Sequence, residues 1–168
     1  TGTTRGRLLA SMRGRATERG ARAVGIAGTR EVAEESGLLV GKSGSPDIPH
    51  PHWDDLNREG VIPSLSPLRL FARASTPPGM ARRFDTWFFI AHKSDVCFEP
   101  SGGFAPDGEL EELQWIRPED AITQNTRDIT RVMLVELIQR LRNDSLLSDA
   151  YPAPYYHTKG SRFHKSEI

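Results

Sequence analysis

Apolar residues recur near the helical period in two stretches of the chain. Over residues 16–36, Ala21, Val24, Gly28 and Val32 fall on one face, which predicts an amphipathic helix. Thr17 stands where an N-cap belongs. Gly37 stands where a left-handed C-cap belongs, so the helix is predicted to stop at Ser36. Gly25 and Gly28 each weaken its middle by about 1 kcal/mol relative to Ala. Gly28 suits a close packing contact. Over residues 127–142, Ile129, Val132, Met133, Leu137 and Leu141 form the apolar stripe of a second helix. Shorter helical pieces are predicted over 5–13, over 53–60 and from Pro118 to Ala121.

Between the two long helices the pattern turns to strands. Leu38 to Val40 begin a short one. Residues 68–75 form another, and 84–92, aromatic and apolar, are the most strand-like segment of the chain. Residues 109–116 alternate in part and end on Trp115 and Ile116, which predicts a further strand. The stretches 41–53, 76–83 and 99–108, rich in Pro, Gly and Ser, read as loops. From Tyr151 onward no period is visible, and an extended tail over 148–168 is expected, its aromatics packed on the body or on a second copy in a homodimer. Helix, three strands and helix with long loops make an α+β fold with a mixed sheet, in one domain over 1–147.

Composition narrows the function class. The 168 residues suffice for one domain with a real core. The formal net charge is zero, which gives non-specific nucleic-acid binding no global electrostatic support. Charge is nonetheless uneven: Arg5, Arg7, Arg13, Arg15, Arg19, Arg22 and Arg30 face one acid, Glu18, between residues 5 and 30. That run suits an anionic ligand, although a solvated helix surface explains it more simply. A single cysteine, Cys97, excludes an internal disulfide and points to a reducing, cytoplasmic setting. Its place in an apolar run predicts burial as a small core residue. No apolar run approaches the ~18 residues that span a membrane, so no membrane partner is expected.

The densest chemistry lies in residues 30–38, REVAEESGL. On a helix, Glu31, Glu34 and Glu35 fall on one side, with Cβ atoms about 5–6 Å apart. Carboxylates so close repel one another unless something positive neutralises them. They suit a hard divalent cation such as Mg²⁺, which takes oxygen ligands and shares its shell with phosphates. Val32 is expected to point to the core and set the helix rotation, and Arg30 to pair with an acid and hold a carboxylate in aim. A solvated acidic turn accounts for Glu34 and Glu35 alone. The full pattern is stricter: average composition yields such a window on the order of once in ten million.

The nonamer resembles the second half of the Nudix box, G-x5-E-x7-R-E-U-x-E-E-x-G-U with U aliphatic. Arg30, Glu31, Val32, Glu34, Glu35, Gly37 and Leu38 match it throughout. The first half does not: Ala16 and Arg22 stand where the pattern has Gly and Glu. One Nudix branch, with the peroxisomal coenzyme A diphosphatase-like proteins, carries an insertion between the two halves. On that resemblance the glycine loop and first strands lie before residue 1. The alternative is a degenerate homologue without chemistry. The segments ARASTPPGMARRFDTWFFIAH, PDGELEELQWIRPEDAI and TRVMLVELIQRL are similar to the strands, loops and closing helix on the C-terminal side of the box in that branch.

The resemblance implies a Nudix-like α/β/α sandwich and hydrolysis of a nucleoside diphosphate linked to another group, with coenzyme A or its esters as candidate substrates. It implies that Glu31, Glu34 and Glu35 hold Mg²⁺ or Mn²⁺, with Arg30 in support and Glu112 or Glu109 as a further base or ligand. Metal would neutralise the phosphate oxygens and lower the pKa of the attacking water. Arg82, Arg83 and Arg73 are weak candidates for a substrate phosphate, each more simply a surface arginine. His50 and His52 have metal-ligand spacing but no third ligand in view, and Trp53 and Trp87 suit base stacking less well than core filling. A nucleotide-sensing or protein-binding module on the same scaffold is the competing reading.

Overall fold

The structure is a computed structural model that describes residues 17–100, 114–143, 152–159 and 162–168. Its described residues fall into two compact units, the first drawn from Thr1–Leu113 and Ala153–Ile168, the second from Gln114–Pro152. The helix expected over 5–13 and the loop from 101 onward lie outside the described residues.

The first unit opens with helix α1, Glu18–Ser36. Its ends are set locally. The Thr17 hydroxyl accepts a hydrogen bond from the Gly20 N–H at 3.1 Å, satisfying one of the amides that a helix start leaves unpaired. Gly37, at φ 68°, donates its N–H to the Ala33 carbonyl at 2.9 Å and stops the helix in the left-handed region. Both caps agree with the sequence reading.

The face does not. The buried residues are Ala21, Gly25, Thr29, Ala33 and Ser36, and Val32 is 39% exposed rather than turned to the core. Small side chains at i, i+4 spacing let the helix lie close on what it covers, so contact distance and not side-chain size sets its rotation. Gly28 shows the same economy: a Cβ there would sit 3.2 Å from the Phe89 ring.

Two sheets follow. Strands β1 (Leu39–Ser43), β2 (Val61–Pro63) and β5 (Val96–Phe98) form an antiparallel sheet in the order β2-β1-β5. Strands β3 (Arg69–Ser75), β4 (Asp85–Ile90), β6 (Pro154–Lys159) and β7 (Arg162–Glu167) form a mixed sheet, β4-β3-β6-β7, in which β3 and β6 run parallel. Each sheet has its own core. Leu39, Leu56 and Val61 pack with Ala33, with Trp53 and Phe98 against them. Ala21, Leu65, Leu68, Leu70 and Ala153 form the other cluster, flanked by Val24, Trp87 and Phe89. Leu39 and Val61 are almost fully enclosed; each such side chain contributes about 1.5–3 kcal/mol by leaving water.

Four expectations need correction here. The loop expected over 41–53 gives its first three residues to β1, and Val61–Pro63, expected only as a lead-in to β3, is a strand of its own. The tail expected to lie extended over the surface instead supplies β6 and β7, because Arg73 and Ala74 of β3 pair with Tyr155 and Tyr156. Cys97 is exposed, since the short β5 turns Val96 and Phe98 inward and Cys97 out. A short helix, α2 (Asp54–Arg58), agrees with the segment expected over 53–60.

The second unit contains α3 (Pro118–Ala121) and α4 (Asp128–Asn143), both as expected. On α4, Met133 and Ile138 are buried, and the half-buried Ile129, Val132, Leu137 and Leu141 flank them. Residues 114–117 are not strand, so the described end of the segment expected over 109–116 is corrected to irregular chain with Trp115 and Ile116 exposed. Together the units make an α+β protein with mixed and antiparallel sheets.

Candidate functional site

The last two turns of α1 bring the motif residues together. Arg30 donates from Nη1 to both oxygens of Glu34, at 2.5 and 2.6 Å, and from Nη2 to Glu31 Oε1. The pairing follows from helical geometry, since residues four apart are neighbours on the surface. It also answers an electrostatic need. The last turn of α1 carries no basic residue, so three carboxylates approach the negative end of the helix dipole. Arg30 is the nearest positive charge on the helix, and it serves two of the three.

A second group reaches the same carboxylate from outside the helix. His52 Nδ1 lies 3.1 Å from Glu34 Oε1. His52 belongs to a 3-10 turn, Pro51–Trp53, whose Trp53 packs on the cluster that holds Ala33 and Leu39. Trp53 thus anchors the turn against the core and His52 extends to the helix. Sequence spacing pairs His52 with His50 instead. The rings of His50 and His52 do stack, at 4.9 Å, but His50 Nδ1 accepts from the His52 backbone N–H.

Glu31 and Glu35 are exposed and Glu34 is half-buried, all on the side of α1 away from the buried line Ala21–Gly25–Thr29–Ala33. Carboxylate oxygens accessible to solvent are the donor chemistry Mg²⁺ or Mn²⁺ takes. Both Glu34 oxygens are engaged by Arg30, so an ion bound there needs one of those bonds released. Among the described residues, no group of three or more His, Cys, Asp or Glu side chains is already gathered for a metal. Glu112 and Glu109 lie outside the described residues. Arg82 and Arg83 sit exposed in the turn between β3 and β4, and neither is hydrogen-bonded to the carboxylates.

Arg73, also considered for a phosphate contact, is engaged within the sheet. Its guanidinium forms a fork on Asp85, Nε to Oδ1 at 2.7 Å and Nη2 to Oδ2 at 2.5 Å. It also lies between two rings, 4.5 Å from the centre of Trp87 and 4.7 Å from that of Tyr155. Ser75 Oγ shares a 2.7 Å hydrogen bond with Tyr155 Oη. Arg73 therefore ties β4, β3 and β6 together. Its hydrogen bonds hold the Asp85 carboxyl below the ordinary carboxylate range, and Asp85 in turn raises Arg73. Trp53 and Trp87, weighed for base stacking, both pack on core clusters.

Compared with protein-family models, curated proteins and solved structures, the chain matches none of them. No described helix is long and apolar enough to cross a membrane.

Proposed function

We propose that α1 is the metal-binding helix of a Nudix-type hydrolase, which cleaves a nucleoside diphosphate linked to another group with Mg²⁺ or Mn²⁺. The observation that carries this reading is the arrangement at the end of α1. A glycine stop at Gly37, three carboxylates on the solvent side and an arginine holding the central one match the residues of the Nudix half-box in their order. Glu31, Glu34 and Glu35 would hold the ion, and Arg30 would keep Glu34 in aim until the ion takes one of its oxygens. The bound ion supplies charge neutralisation for the diphosphate and a lowered pKa for the attacking water. Coenzyme A or its esters are the substrates to try first, on the likeness of the flanking segments.

A second reading has one observation in its favour. Glu34 is already engaged by Arg30 and His52, an arrangement that a binding scaffold without chemistry would have no need to release. Ala16 and Arg22, where the box has Gly and Glu, point the same way. The test is hydrolysis of a panel of nucleoside-diphosphate substrates, coenzyme A included, with Mg²⁺ or Mn²⁺. Release of the nucleotide half supports the enzyme. Calorimetric binding of the same panel without turnover supports the scaffold.

A further inference from the structure

Strands β6 and β7 carry a pair of histidines that the proposed hydrolysis does not use. His157 and His164 are directly opposite one another in the antiparallel register, on the same face of the hairpin. Directly opposed residues on neighbouring strands have Cβ atoms about 4.5–5.5 Å apart. The two imidazoles lie 5.8 Å apart between centres, with planes inclined by 24°. Both are half-buried.

The tautomer of His157 is set by its partner. His157 Nδ1 lies 3.3 Å from the Tyr155 carbonyl oxygen, which can only accept. Nδ1 therefore carries the hydrogen, and the lone pair of the neutral ring sits on Nε2. A hydrogen bond from one ring nitrogen to a backbone carbonyl is how metal-ligating histidines are commonly oriented. The Tyr155 ring, stacked on His157 at 4.5 Å, further limits how the imidazole turns.

We propose that His157 and His164 chelate a nitrogen-preferring divalent transition ion across the β6–β7 hairpin. At metal–nitrogen distances of about 2.0–2.1 Å, two adjacent ligand nitrogens lie roughly 2.9 Å apart in a square-planar shell and roughly 3.4 Å apart in a tetrahedral one. Rings 5.8 Å apart between centres close to that spacing by turning the His164 ring, with His157 Nδ1 kept on the Tyr155 carbonyl. Water completes the shell. Imidazole suits Cu²⁺, Ni²⁺ and Zn²⁺, with Cu²⁺ held most tightly. Lys159 and Arg162, the next pair toward the turn on the same face, carry positive charge and disfavour hard hydrated cations bound by Coulomb attraction alone. The site is thus chemically distinct from the carboxylates of α1. It is also distinct from the other histidine pair: His50 already uses its Nδ1 lone pair on the His52 N–H, and His52 Nδ1 faces Glu34.

The test is metal titration of the purified chain, followed by calorimetry and by the imidazole NMR signals. Cu²⁺ is expected to bind once at this pair, Zn²⁺ more weakly at the same place, and Mg²⁺ not at this pair. His157→Gln and His164→Gln should each weaken Cu²⁺ by about tenfold or more, on the scale of lost ligand support, with an unchanged circular-dichroism spectrum. His50→Gln should leave that binding intact. In the unmutated chain, Zn²⁺ should move the ring signals of His157 and His164 together, a readout that needs no variant to fold. Unchanged Cu²⁺ binding in both hairpin variants overturns the proposal. So does loss of binding only in His50→Gln, or a response of the two rings to inorganic phosphate and not to Cu²⁺ or Zn²⁺.

Discussion

Arg30 and Glu34 stand one helical turn apart and share a two-oxygen contact through a single guanidinium nitrogen. The arginine precedes the acid, which is the less favourable order for a helix dipole. The pair is therefore better explained by the crowding of Glu31, Glu34 and Glu35 than by helix stability. Replacing Arg30 by Gln should lower stability by about 0.5–1 kcal/mol at low ionic strength. Thermal melts check this. The deficit should shrink in high salt, and millimolar Mg²⁺ should reduce it where NaCl of equal ionic strength does less. Equal melts for both proteins in low salt contradict the repulsion argument.

Gly37 makes a sharper prediction. Its φ of 68° lies where a side chain costs about 1–2 kcal/mol, and an added Cβ would stand 3.0 Å from Pro100 Cγ. Gly37→Ala should lower the unfolding free energy by that amount, read as a lower urea midpoint at an unchanged slope. An unchanged midpoint would mean the helix does not end in this cap.

The ion pair of Arg73 and Asp85 gives a pH dependence. Asp85 is held below its ordinary value of 3.8 in the folded state, chiefly by the Arg73 hydrogen bonds. The folded state then prefers the ionised carboxylate. Its contribution is present at neutral pH and is lost as pH falls below that ordinary value and through the lowered folded one. Asp85→Asn should cost about 0.5–1 kcal/mol at pH 7. The difference from the parent should fade on acidification below that ordinary value. Denaturation curves across the acid range measure it, and a difference that grows in acid contradicts the assignment.

Cys97 projects from the short β5 into solvent. A disulfide reagent should label one thiol per chain in the native protein, at a rate close to that in denaturant. Labelling only after unfolding would return Cys97 to the core.

The parts legible in the sequence are those decided by neighbours in the chain. The ends of α1 rest on the hydroxyl of Thr17 and the absent Cβ of Gly37, and both are visible in one turn of sequence. The Arg30–Glu34 pair is legible for the same reason, since i, i+4 spacing makes it. The illegible parts depend on residues far away. The rotation of α1 turns on small residues, Gly25 and Thr29, where side-chain size points to Val32. Strand β6 has no apolar alternation that marks it, and it gains its place from β3, some eighty residues earlier, through Tyr155 and Arg73. His52 meets Glu34 from a turn whose half-buried Trp53 packs on the cluster that holds Ala33, a contact no local pattern announces.

The central claim is that the end of α1 takes up a divalent ion on Glu31, Glu34 and Glu35. The most direct measurement is Mn²⁺ binding, followed by loss of the free-ion paramagnetic signal, with parent protein, Glu34→Gln and Glu35→Gln compared in the presence of a nucleoside diphosphate. The account predicts saturable Mn²⁺ binding in the parent, displaced by Mg²⁺, and about tenfold or greater weakening in each variant with the fold intact. Mn²⁺ binding of equal strength in all three proteins, or none in the parent, would contradict it.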